Sequence, residues 1–430
     1  MSESERLALQ VDHVKTLQGR YDEAMGAQGY DGLLISSGAA PMQYGDDQGW
    51  TFQGYGPFLH WTGLSGLEHA WLLIRRGHKP LLSLYQPVDF WHATLELTPE
   101  PWHQEFQLVF SESRETPEFD GVNQLAVIGD PSLLTDLPGS HNPEALCAAL
   151  NETRVHKTPY EIACLAKANV LAVAGHRAAR DAFLAGASEF DISLAYQQAT
   201  RQREAEAPYH SIIGVNEHAG TLHYQYYATA TPAKSRSLLI DAGVRYRGYC
   251  SDITRTTAGV GEGRFSALVQ GLEQLQFRLC DMVAPGVEYV DIHRRTHQGI
   301  AVLLSAAGLV TGLSDEEIVA EGITRAFFPH GIGHFLGAQV HDVAGKPVPP
   351  PSDAPFLRLT RTLEPGMVVT IEPGLYFIPS LLEPLLTGPL GHHLNRELLA
   401  ELQGCGGIRI EDNVLVTDTG SRNLTREAES

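Results

Sequence analysis

Four carboxylates sit inside otherwise apolar, strand-like runs: Asp241 in LLIDAG, Asp252 in CSDITRT, Glu372 in VVTIEPG and Glu411 in IRIEDN. A charge placed in such a run is costly to bury unless it is paired or binds a metal. A salt bridge to Arg409 or Arg255 would account for one of them. Four together call for a shared cause. Asp241 and Asp252 flank GVRYRGY, and a hairpin turning about Tyr246 and Arg247 would set them opposite each other on one side. Whatever this chain folds into has to gather these acids around something positive.

The stretch PHGIGHFLGAQVHDVAG, residues 329–345, supplies imidazoles: His330, His334 and His341. Spacings of four and seven would suit one helix face. Gly331, Gly333 and Gly337 each weaken a helix by roughly 1 kcal/mol, and Pro329 opens the run. A strand with glycine-made irregularities is the expectation. Four carboxylates with one histidine make an oxygen-rich site suited to divalent ions such as Mn2+. Four negative charges balance two dications. A metal pair sharing a bridging hydroxide is hydrolytic machinery, and further histidines would donate hydrogen bonds to an oxyanion or a leaving group.

The chain is 430 residues long, which favours two domains. Residues 1–154 alternate helical and strand-like segments, including DGLLISSG, AWLLI, PLLSLY and QLAVIGD, and so read as an α/β domain. No phosphate-binding glycine loop appears among them. Thr158, Pro159 and Glu161 form a capping box that starts a long helix, so a second domain is placed at 155–430. It holds a helix at 189–206, strand-rich segments around the acids, further helices at FSALVQGLEQLQFRLCDMV and after Ser314, and a proline-rich loop at 346–356. The net charge of −20 argues against a nucleic-acid partner. Five scattered cysteines without a CxxC pair suit reduced thiols in the cytosol. No signal-peptide pattern and no apolar run of membrane-spanning length is found, so a cytoplasmic protein is expected.

At this point the motifs resemble those of a known family. NEHAGTLHY, LLIDAGVRYRGYCSDITRT, FPHGIGHFLGAQVHDVAG, LEPGMVVTIEPGLYFIPSLL and GGIRIEDNVLV follow one another as in the pita-bread metallopeptidases, and most closely as in the Xaa-Pro dipeptidase (prolidase) branch. QPVDFWH, in the first half, resembles the bacterial subgroup. The resemblance implies an α/β (α+β) architecture: an N-terminal creatinase/prolidase-like domain that serves dimerisation and covers the active site, followed by a pita-bread catalytic domain. It implies two divalent ions, Mn2+ foremost with Co2+ or Zn2+ as alternatives. Asp241 would chelate one ion, His334 and Glu372 the other, and Asp252 and Glu411 would bridge them. Glu372 would also act as general base. His341 and His223 would stabilise the tetrahedral intermediate or serve the leaving nitrogen. His330 and Tyr209 would line the substrate pocket, and a homodimer is implied.

A dipeptidase has to read a free carboxylate near the scissile bond, and an arginine fork matches one. Arg358, in FLRLTRTLEPGM, matches the prolidase arginine with that role. The expected substrate is a dipeptide with C-terminal proline, with organophosphorus triesters as a side activity. Two alternatives stand beside this. One is an aminopeptidase P-like exopeptidase acting on longer peptides, and the other is a non-catalytic pita-bread binding module. The ligand set decides against the second, and the segment between Glu372 and Glu411 resembles the dipeptidase subgroup.

Overall fold

The apolar runs near the N-terminus become strands buried on both faces, which is why they lack polar alternation. In the computed structural model, which describes residues 2–93 and 97–430, they belong to the first of two compact units. That unit runs to Cys164 and includes Tyr246–Tyr249 and Gly337–Gln339. Its strands are β1 (Gly32–Ser36), β2 (Trp71–Arg75), β3 (Leu81–Tyr85), β4 (Gln107–Ser111), β5 (Leu125–Ile128) and β6 (Ser140–His141). They form one mixed sheet in the order β4-β3-β2-β1-β5-β6. Leu33 and Ile35 of β1 pack with Val14, Leu17 and Tyr21 of the helix Glu3–Ala27. Leu34, between them, packs on the other face with Leu73 and Val127. β4 and β6 were not legible in the sequence: β4 is partly exposed and β6 is two residues long.

The capping box forms as expected. The Thr158 amide donates to Glu161 Oε2 (2.8 Å) and the Glu161 amide to Thr158 Oγ1 (3.4 Å), and the helix Pro159–Leu184 follows. The boundary between the units falls within this helix, at Cys164–Leu165.

The second unit carries the acids on two small antiparallel sheets. One comprises β7 (Ile212–Val215), β8 (Ser237–Asp241) and β11 (Thr254–Ala258), with β8 central. Between β8 and β11 the chain makes β9 (Arg245–Tyr246) and β10 (Tyr249–Cys250). The other sheet comprises β12 (Val368–Ile371), β15 (Asp412–Val416) and β16 (Ser421–Asn423), with β15 central, while β13 (Gly374–Tyr376) pairs with β14 (Gly407–Arg409). In β8, Leu238 and Ile240 pack against Ala172, Val173 and Ile192 from the flanking helices. Leu239 faces the opposite way, with Tyr376 and Ile212. Asp241 shares that second side by the two-residue period of a strand.

Three sequence expectations need correction. The hairpin turns about Arg247 and Gly248, not Tyr246 and Arg247: both turn residues have positive φ (48° and 85°), the conformation that matches strand twist. The register moves accordingly. Asp241 lies opposite Thr254, and Asp252, two residues earlier, is its diagonal neighbour on the same side. The helix expected over 189–206 ends at Thr200, because Arg201 adopts φ 57°, and a 3-10 turn (Glu204–Glu206) follows. The histidine-rich stretch 329–345 is not a regular strand, yet it runs antiparallel beside β12. Glu372 N donates to Ile332 O (2.9 Å), Thr370 N to His334 O (2.9 Å) and Leu336 N to Val368 O (3.0 Å). Gly333 permits this approach. At φ 150° a Cβ there would lie 2.4 Å from both Thr370 O and the Tyr289 hydroxyl.

Candidate active site

The two sheets bring the acids together from four directions. Asp241 closes β8, Asp252 precedes β11, Glu372 follows β12 and Glu411 sits between β14 and β15. An isolated bridge between Thr254 and Glu411 joins the halves. His334 Nε2 lies 3.4 Å from Asp252 Oδ2 and 3.6 Å from Glu372 Oε1. Donor atoms of Asp252, His334 and Glu411 all fall within 4.8 Å of one another. All three side chains are buried.

Each donor is held by its own support. His334 Nδ1 donates to the Phe335 carbonyl (2.8 Å), which turns Nε2 toward the acids. Glu411 Oε2 accepts from Thr254 Oγ1 (2.7 Å). The Asp252 amide donates to Asn413 Oδ1 (3.1 Å), and Asn413 in turn donates to the Asp252 carbonyl. Asp241 Oδ2 accepts from Arg409 Nη2 (2.7 Å). The salt bridge expected for one of the acids is therefore present, between Arg409 and Asp241, while Arg255 pairs with Asp412 and Glu429.

The remaining sequence-derived residues reach the same place. A cavity of about 1160 Å³ is lined by Tyr209, His223, His330, His341 and Arg358 together with the four acids and His334. His341 stands edge-on to His334, with ring centroids 4.4 Å apart. His223 and Arg358 are exposed on the cavity wall. Two residues are more tied down than a pocket lining would be. The Tyr209 hydroxyl lies 2.8 Å from Asp241 Oδ1 and 2.6 Å from Asp252 Oδ1, so its single proton serves the acids. His330 Nδ1 donates to the Gly331 carbonyl (2.8 Å), so Nε2 accepts from the Tyr376 hydroxyl (2.8 Å), which itself accepts from Arg409 Nη1 (2.8 Å). Thr254, Asn413 and Tyr376 as supports were missed from sequence. One of them carried a signal: Thr254 stands two residues from Asp252 along the chain, hence on its face.

Electrostatics explain what the cluster wants. Burial, reinforced by Asp252 and the other acids, pushes the Glu411 carboxyl well above its usual range. Burial likewise raises Glu372 to about 7, against the pull of His334 and Arg409. Asp241 is raised by burial despite Arg409. Asp252 goes the other way: burial opposes its charge, but the hydrogen bond and charge of His334 outweigh it. His334 is raised by the same contact, against burial. Enclosure by the cavity, then the His334 and Arg358 charges, hold His341 down near 4. Protein charges alone leave this cluster too negative.

The match to protein-family models falls on this arrangement. Residues 163–418 match the model described as metallopeptidase family M24, and residues 8–151 match the model described as the N-terminal domain of Xaa-Pro dipeptidase. The chain belongs to metallopeptidase family M24. It is 69% identical to an Xaa-Pro dipeptidase of Marinobacter nauticus over 100% of both chains. It is 41% identical to an Xaa-Pro dipeptidase of Cronobacter sakazakii, covering 97% of this chain and 98% of the relative. Among solved structures, the low-pH form of E. coli aminopeptidase P superposes with a TM-score of 0.72 at 22% identity, over 96% of this chain and 95% of that one. That likeness shows a shared fold.

Membership in the M24 family implies divalent metal, and the donors fit one. Glu411 Oε1 is buried without a hydrogen-bond partner among the described residues. His334 Nε2 points at acids whose charge burial opposes, and carboxylates with an imidazole are the donors a hard or borderline dication prefers. No helix of the described residues is long and apolar enough to cross a membrane.

Proposed function

We propose that this chain is a metal-dependent Xaa-Pro dipeptidase that hydrolyses dipeptides with C-terminal proline. The observation that carries the reading is the convergence of four carboxylates, His334 and Arg358 on one cavity. Asp241, Asp252, His334, Glu372 and Glu411 would hold two divalent ions, with Mn2+ the best match and Co2+ or Zn2+ able to use the same donors. When bound, such ions acidify water and polarise a carbonyl, which is the chemistry that amide hydrolysis needs. Glu372 is the general base, receiving the proton of the attacking water on its carboxylate. His341, neutral around pH 7, donates an N–H to the oxygen that becomes negative at the carbonyl, and His223 serves the leaving nitrogen of proline. Arg358 binds the C-terminal carboxylate with its fork. Tyr209 and His330 shape the wall and hold the acids and the 331 backbone in place.

The domain roles belong to the same proposal. Residues 1–154 would cover the active site and form a homodimer, and 155–430 would carry the chemistry. In the first unit, the segment 42–50 folds back on itself, with Gln43 N donating to Gln48 O (2.9 Å), and exposes Tyr44 and Trp50. That is a suitable covering element. The enzyme would work in the cytoplasm and hydrolyse organophosphorus triesters as a side activity, because a tetrahedral phosphorus centre resembles the peptide transition state.

The deciding experiment measures proline release from Ala-Pro, with Ala-Pro-Ala in parallel, on metal-stripped protein before and after adding Mn2+. Metal-dependent cleavage of Ala-Pro alone is the expected result. Cleavage of both peptides would turn the assignment toward an aminopeptidase P-like activity, and cleavage of neither would remove the dipeptidase reading.

A further inference from the structure

The cavity wall carries an imbalance of charge that the catalytic assignment does not absorb. Every acid on the wall belongs to the metal cluster: Asp241, Asp252, Glu372 and Glu411. Of the three strong cations there, Arg409 is spoken for by Asp241 at 2.7 Å. The other two are Lys346 and Arg358. Neither has an acid within ion-pair distance among the described residues, and both are exposed. In a chain whose net charge is −20, two unpartnered cations in one cavity stand out.

Their backbones are neighbours. The Thr360 amide donates to the Gly345 carbonyl (2.9 Å), and Thr360 Oγ1 donates to the Val348 carbonyl (2.8 Å). A Cβ at Gly345 would lie 2.7 Å from the Arg358 carbonyl oxygen. Lys346 therefore leaves the chain one residue from the strand-like partner of Arg358 and enters the same cavity from the adjacent segment. Pro349, Pro350 and Pro351 follow, fixing φ along the loop and limiting how far Lys346 can drift.

We propose that Lys346 is a specificity-determining residue that works with Arg358 to read negative charge at the C-terminal end of the substrate. The inference rests on the dipeptidase reading and deepens it. Arg358 supplies a planar fork that fixes the carboxylate's orientation. Lys346 supplies a compact point charge on a flexible stem, which adds attraction without demanding a second fixed geometry. Together they favour substrates whose anion lies at this end of the cavity, and dianionic ends above monoanionic ones. A lysine here acts on substrate capture, so its effect belongs in KM and not in the chemical step.

The test compares wild type, Lys346→Gln and Lys346→Arg on Ala-Pro and on its C-terminal amide, with the metal-loaded enzyme. The expected result is a KM for Ala-Pro raised about fivefold in Lys346→Gln, the upper range for an exposed ion pair. kcat should move by less than twofold, the amide should show no such rise, and Lys346→Arg should restore KM. An equal rise for acid and amide, or no rise at all while wild type cleaves Ala-Pro, overturns the role of Lys346 and leaves the dipeptidase reading standing. A wild-type enzyme that leaves Ala-Pro intact overturns both.

Discussion

Glu411 and Asp412 are consecutive residues, both buried, and they meet opposite fates. Strand alternation sends their side chains to opposite sides. Asp412 faces two guanidinium groups, Arg255 Nη2 at 2.8 Å and Arg426 Nε at 2.7 Å, and a third donor, Asn423 Nδ2 at 2.7 Å. These outweigh burial and hold its carboxyl down at about 2. Glu411 faces one threonine hydroxyl and three other acids, and burial drives it well above the usual range. One side of the strand is a finished ion-pair network. The other is the same kind of charge left for a cation that is not part of the chain. Polar burial alone therefore does not mark a functional site; what marks it is burial without internal compensation.

The comparison can be broken most severely on the uncompensated side. Asp252→Asn removes charge from the centre of the cluster. Losing several kcal/mol of charge stabilisation should lower kcat/KM for Ala-Pro by more than about 10³-fold. Two tightly bound metals with retained turnover would show that Asp252 is not a shared ligand. On the compensated side, Arg255→Ala should leave metal content intact but cost about 3 kcal/mol, the lower end for breaking a buried pair, as read by urea denaturation. A loss of metal with unchanged stability would mean that the two sides are not separate in function.

The pH dependence of the metal-stripped protein separates them by sign. A depressed carboxyl such as Asp412 contributes stability above its unfolded value, near 4, and that contribution is lost as pH falls through about 2. A raised carboxyl such as Glu372 does the reverse. Its charged form is disfavoured in the fold, so stability declines as pH rises from its unfolded value near 4.5 through about 7. Stripped protein should be most resistant to urea between those limits. Adding Mn2+ should remove the decline on the neutral side, because metal binding requires the ionised ligands. A stability curve indifferent to Mn2+ at pH 7 would contradict this. The mildest intervention is Thr254→Val, which removes the one hydrogen bond that the Glu411 carboxylate receives among the described residues. It should weaken metal binding by about tenfold, measured by titration, with the fold retained.

Much of this was readable in the chain. The four acids announced themselves because each interrupts an apolar run, and the capping box at Thr158–Glu161 marked the start of its helix through local chemistry alone. The hairpin turn escaped by one position, and the partner of Asp241 by two, because left-handed φ at Arg247 and Gly248 fixes where the chain reverses, and the apolar pattern on either side is compatible with both turns. The path of residues 329–345 escaped for a different reason. Its hydrogen bonds go to β12, some thirty-five residues away, so no local preference encodes them. Thr254 and Asn413 are ordinary strand residues by type, and their value appears only once the two sheets meet.

Gly333 has a consequence for which ion this protein prefers. Because no side chain fits there, the imidazole of His334 is carried at a distance from Glu372 that the packing of main chain on main chain dictates. Divalent ions differ from one another by a few tenths of an ångström in bond length. Discrimination among them then becomes a property of backbone spacing, and a change of metal preference should be sought by altering Gly333 and its contacts at Tyr289 and Thr370, with the five proposed ligands left as they are.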